Sequence, residues 1–223
     1  MKITELFSRG ELVVTTEVGP PKGCHVEPLV AEAKEYLSNI TAVNVTDNQS
    51  SVMRLGSLAT CKALKDAGLN PIFQMTCRDR NRMALESDLL SAASFGIDNI
   101  LCLTGDHTKL GDHPGAKPVF DLDSVSLLYT VGQLEQGKDL GGNDLVGEPP
   151  SFAKGAVVSP CSDSIDAQLA KMERRSWPAR SISRPRPSSS PRSSSPSWRR
   201  PSSSACPCSW ASSSPRMWAC AAT

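Results

Sequence analysis

Seven polar side chains recur at one structural position: Glu17, Thr46, Asp47, Gln74, Thr76, Asp106 and Ser159 each fall at or just beyond the end of a short apolar run. Carboxylates set among hydroxyls and an amide suit binding of a polar heterocycle and delivery of a proton to it. Taken singly, each residue reads equally well as a cap or turn former. Their recurrence at the same end of five runs is what points to a site. Glu17 is the sharpest candidate, because it lies inside the β-branched run LVVTTEV (12–18), where a carboxylate is costly unless paired, protonated or facing a site. So placed, it can serve as a general acid, and the alternative is a glutamate facing solvent on a sheet edge.

Other chemistry-bearing residues are less decisive. Arg78, Arg80 and Arg82 follow the third run and suit either a cofactor phosphate or a solvated loop, as do Lys109 and Lys117 after Asp106. His107 and His113 lack a third ligand at metal-binding spacing, so no metal site is expected, and His25 has no identifiable partner. Cys24, Cys61, Cys77, Cys102 and Cys161 form no C-x-x-C pair and read as reduced, small apolar residues; Cys206 and Cys208 have no second pair to join.

The elements that must position these residues alternate in type. The runs at 12–18, 42–46, 71–76, 100–104 and 155–159 predict strands, the fourth buried on both faces. Helical spacing follows each, over about 26–37, 55–67, 83–95 and 122–134 and from Ser162 or Ser164 towards Arg175. Gly68 and Gly96 close the second and third helices, and Asp121 or Asp123 caps the fourth. The segments 106–118 and 137–150 read as long loops. Five successive βα units fit an open doubly wound sheet or a (β/α)8 TIM barrel truncated after about the fifth unit. No G-x-G-x-x-G follows any strand, which favours the barrel.

Composition divides the chain near Arg175. Residues 176–223 hold 17 Ser, 8 Pro and 7 Arg, all four Trp, and no Gly, Lys, Asp or Glu. The net charge of +1 therefore hides a body of −6 and a tail of +7. No run is apolar enough to cross a membrane and no leader precedes the first strand, so a cytoplasmic protein is expected.

Four stretches in order, TEVGPPK (16–22), VTD (45–47), QMTCRD (74–79) and LTGD (103–106), resemble the N-terminal barrel of the methylenetetrahydrofolate reductase family over residues 1–175. The resemblance implies a (β/α)8 barrel with bound FAD. It would take electrons from NADH, NADPH or another donor and reduce 5,10-methylenetetrahydrofolate to 5-methyltetrahydrofolate, within one-carbon and methionine metabolism. It assigns Glu17 as the acid that promotes opening of the folate ring and Asp106 as a carboxylate near flavin and pterin. Thr46, Gln74, Leu103, Thr104, Gly105 and Asp106 become cofactor contacts. Gln74 stands where many relatives have His, and Thr104 where some have Arg; this variant resembles reductases of anaerobes whose donor need not be NADH.

The family would continue beyond the fifth helix with a strand of the type A-G-A-x-x-F-Q-T-Q, whereas this chain reads SWPARSISRPRPS (176–188). Codons can be chosen for that segment which, read one nucleotide earlier, encode such a strand. Residues 176–223 are therefore expected to be a disordered, out-of-frame tail behind a partial barrel, leaving reductase activity impaired. The competing reading of the tail is a basic disordered segment for nucleic acid or an acidic partner; the preferred one involves neither nucleic acid nor membrane. An alternative for the whole chain is a non-catalytic flavin- or folate-binding subunit, completed by a partner subunit or a homo-oligomer.

Overall fold

The computed structural model describes residues 1–37, 39–158, 164–176 and 217–220. Five strands, β1 (Thr15–Val18), β2 (Ala42–Val45), β3 (Pro71–Thr76), β4 (Asn99–Leu103) and β5 (Ala153–Val158), lie parallel in chain order. The helices are α1 (Ile3–Ser8), before β1, then α2 (Glu27–Tyr36), α3 (Ser57–Asp66), α4 (Arg82–Ser94), α5 (Ser124–Leu134) and α6 (Ile165–Ser176), one after each strand. A sixth strand, β6 (Met217–Cys220), pairs antiparallel with β5. Among the described residues no pairing joins β6 to β1, so the sheet has the βα repeat and strand order of a partial barrel.

Side-chain alternation explains the layering. Val43, Val45, Phe73, Met75, Ile100 and Cys102 point to the helical side, where Cys61, Leu64, Leu85, Leu89, Leu127, Val131 and Leu134 bury them. The opposite face carries Ala42, Ile72, Leu101 and Ala153, closed at the strands' N-terminal end by Ile3 of α1. Asn99 fixes that plug: its Oδ1 accepts from the Ile3 amide at 2.8 Å and its Nδ2 donates to the Met1 carbonyl at 3.1 Å. Polar residues then occupy the C-terminal end of the same inner face.

Helix ends follow local chemistry. Asn81 accepts from the Ala84 amide at 3.0 Å, and Asp123 from the Ser126 amide at 2.8 Å, each satisfying one unpaired donor of a first turn. Gly68 and Gly96, at φ +87° and +70°, terminate α3 and α4, where Leu69 and Ile97 donate back to Leu64 and Ala92.

Two expectations change, and one helix arises without any. The first strand is Thr15–Val18, with Leu12 and Val14 exposed outside it. Glu17 is consequently exposed on an outermost strand rather than buried in a β-branched run, because nothing among the described residues pairs with the free side of β1. Helix α1 had no sequence expectation, its single turn and a half being too short for a periodic signal. Ser159 and residues 177–216 and 221–223 lie outside the described residues, so the expectations placed on them do too.

Candidate functional site

The C-terminal ends of the parallel strands open into one solvent-open cleft of about 180 Å³. Glu17, Thr46, Asp47, Gln74, Thr76, Leu103, Thr104, Gly105 and Asp106 all line it, together with Gln49, Ser50, Arg78, Ser124 and Val157. Parallel strands present their last residues to the same side, so the grouping follows from topology.

Two amides hold Glu17. Gln74 donates from Nε2 to Glu17 Oε2 at 3.2 Å, and Gln49 from Nε2 to Oε1 at 3.3 Å. Gln74 is buried, so it brings a fixed donor to an exposed carboxylate. Beneath them, Thr46 Oγ1 and Asn44 Oδ1 are buried without a hydrogen-bond partner. An unpartnered buried acceptor costs about 1–3 kcal/mol, which makes Thr46, on the cleft wall, a position awaiting a ligand's donor.

Behind the wall lies a charge network. Arg78, 2 % exposed, donates through Nε and one terminal nitrogen to Asp79 at 2.8 and 2.7 Å. Its terminal nitrogens also reach the carbonyls of Asn48 and Asp106, both at 3.3 Å. Arg80 donates to buried Asp47 at 2.7 and 3.2 Å and lies 2.9 Å from Asp88. Asp47 in turn accepts from the Thr76 amide at 2.9 Å and its hydroxyl at 2.8 Å. Burial pushes the Asp79 carboxyl up, but the Arg78 hydrogen bonds and charge outweigh it and hold the group below its ordinary range. Burial pushes Asp88 up despite the pull of Arg80. Arg82 pairs with Asp121 at 2.8 Å. Arg78 and Arg80 are thus neither solvated nor phosphate-ready, since buried or half-buried pairing with carboxylates satisfies them, whereas Arg82 is exposed as the solvated reading expected.

The rim depends on close backbone approach. Gly105 sits at φ +93°, and a Cβ there would come within 3.1 Å of the Thr76 and Arg78 Cβ atoms. At Gly111 a Cβ would fall 1.8 Å from the Ser51 carbonyl oxygen. The loop after β4 thereby lies against the turn after β2, and Asp112 adds a second tie by accepting from Lys22 and from the Met53 amide, the latter at 3.0 Å. Lys22 and His113, 2.8 Å from Asp112, hold that carboxyl well below the usual range.

Thiol chemistry is disfavoured. Burial pushes the Cys77 thiol up to about 12, and Cys61 rises for the same reason, so both stay protonated at neutral pH. Among the described residues no group of three or more His, Cys, Asp or Glu could hold a metal ion. No described helix is long and apolar enough to cross a membrane.

Gln49 and Ser50, just beyond Asp47, were not legible as site residues. Their only signal was a polar stretch after a strand, which any turn would also give. The cleft wall offers a polar ligand the unpartnered Thr46 Oγ1, while the free side of Gly105 is taken up by Thr76 and Arg78.

Such a molecule belongs to the class of parallel βα proteins with a polar ligand cleft at the strand C-termini. The methylenetetrahydrofolate reductase family model matches residues 2–139, which is more than half of the chain, and the chain belongs to that family. A search of curated proteins finds no match. The family is one of oxidoreductases in one-carbon metabolism.

Proposed function

We propose that the cleft binds FAD and methylenetetrahydrofolate and is built for reducing the latter to 5-methyltetrahydrofolate. The supporting observation is the convergence of Glu17, Thr46, Gln74 and Asp106 from four strands on one cleft whose rim is Leu103–Thr104–Gly105. A bound flavin supplies hydride transfer, refilled from NADH, NADPH or another donor. Thr46 and Gln74 would hold the flavin through their polar atoms, with Leu103, Thr104 and Gly105 beside it on the rim. Asp106 holds the flavin and the pterin. Glu17 supplies the proton that promotes opening of the folate's five-membered ring, with Gln74 and Gln49 fixing where the carboxyl sits. The cytoplasm is the location we assign.

We assign residues 1–175 to a partial (β/α)8 barrel and 176–223 to an out-of-frame tail, so turnover by this chain alone is low. Intact-mass analysis of the natural protein, with sequencing of its gene, checks that assignment; an uninterrupted single frame carrying this tail would sink it. A second reading, a flavin- or folate-binding subunit completed by a partner or by another copy, is favoured by the exposure of Glu17 on a strand with one unpaired edge.

The absorbance spectrum of the purified chain in FAD, before and after methyltetrahydrofolate, separates these readings. Bound flavin that bleaches supports the reductase, and bound flavin that does not bleach supports the subunit. A chain that binds neither flavin nor folate overturns both.

A further inference from the structure

The turn after β2 is the most distorted backbone of the described chain. Asn48, Ser50 and Ser51 have φ of 45°, 55° and 59°, three of the four non-glycine residues with positive φ among those described. Asparagine tolerates that region, but serines do so at a cost, and such strain persists only where the surroundings over-determine it. Here they do. Arg78 donates to the Asn48 carbonyl at 3.3 Å, and the Arg54 amide donates to Asn48 Oδ1 at 3.0 Å. Ser51 Oγ donates to the carbonyls of Asp106 and His107, each at 3.1 Å.

The turn projects one side chain onto another functional group. Gln49 is exposed, lines the cleft and reaches Glu17 Oε1 at 3.3 Å, while Gln74 occupies Oε2. A hydrogen bond between two exposed groups adds little to folding, since water competes for both partners. The hydrogen bonds from Arg78, Arg54 and Ser51 hold the turn, but the Gln49–Glu17 contact adds little to folding and is explained by orientation of a carboxylate. With one oxygen held by Gln74 of β3 and the other by Gln49 of the turn after β2, the carboxyl cannot rotate freely about its last bond.

We infer that Gln49 is a positioning residue for Glu17, presented by a strained turn that Arg78 pins from below. This rests on the proposed reductase reading and adds to it a residue outside the family-derived site set. Gln49 touches neither flavin nor folate in the role assigned; it acts through Glu17.

The test uses the full chain and the variants Gln49→Leu and Gln49→Met, which keep bulk at an exposed position and remove the donor. With FAD bound and reduced by dithionite, reoxidation by methylenetetrahydrofolate should slow by about tenfold or more, as misplacement of a catalytic group does. Reoxidation by a quinone, which needs no proton from Glu17, should stay within about twofold. Equal slowing of both reactions, or of neither, would overturn the inference. A second readout needs no flavin: the side-chain carboxyl carbon resonance of Glu17, assigned by its loss in Glu17→Gln, should move in Gln49→Leu and in Arg78→Lys. If the chain binds no flavin the reductase reading fails, and a moved resonance still supports the positioning role. A resonance that stays put in Gln49→Leu ends it.

Discussion

The β2–β4 end of the cleft and the β1 edge carry similar residues in opposite physical settings. At β2–β4, Asp47, Arg78 and Thr76 are buried and every charge has a partner, so the backbone there is held by groups that cannot rearrange without losing hydrogen bonds. At β1, Glu17 stands in solvent on a strand paired on one side among the described residues, and two amides donate to it. The difference separates two tasks: the buried network fixes the shape of the cleft, and the exposed carboxylate is left available for chemistry. Mutations should therefore divide into those that cost stability and those that cost function.

The largest stability loss should come from Arg78→Met, which leaves Asp79 and two carbonyls without their donor. Because Asp79 is partly exposed, the loss comes mainly from the two carbonyls left without a donor, about 3 kcal/mol, readable as a shifted urea midpoint. Gly105→Ala comes next, at about 1–3 kcal/mol, because φ +93° is strained for alanine and the Cβ crowds Thr76. Acid should weaken the same network. Asp79 is held below its ordinary 3.8, so its contribution is present above that pH and is lost as pH falls below it. The stability gap between the parent and Asp79→Asn should accordingly close on acidification, and a gap that widens would break the comparison. Glu17→Gln should change stability by no more than about 0.5 kcal/mol while lowering folate-dependent flavin reoxidation by about 10²-fold or more. The smallest effect belongs to Lys62→Met, which removes an exposed i,i+4 pair with Asp66 worth about 0.3–0.5 kcal/mol.

Much of this architecture was legible because it is written in local patterns. Helices α2 to α5 and strands β2 to β4 fall within two residues of the spacing-based expectation, and Asp123 caps α5 as its position suggested. The cleft set from Glu17 to Asp106 was legible because strand ends in a parallel sheet share one side. What failed was anything decided by distant neighbours. Glu17 looks buried in a β-branched run, yet its exposure depends on whether another strand lies beside β1. Arg78 and Arg80 look like a solvated or phosphate-facing pair, yet Asp79 and, from other elements, Asp47 and Asp88 claim them. The left-handed conformations of Asn48, Ser50 and Ser51 left no trace, since only Asn48 belongs to a type that favours them.

The contact between Gly111 and Ser51 also governs how the mouth of the cleft can move. With no room for even a methyl group between them, and with Ser51 bonded to Asp106 and His107, the two loops are keyed together. Neither loop can shift at this point without displacing the other, so a spectroscopic label on one should report a displacement of both.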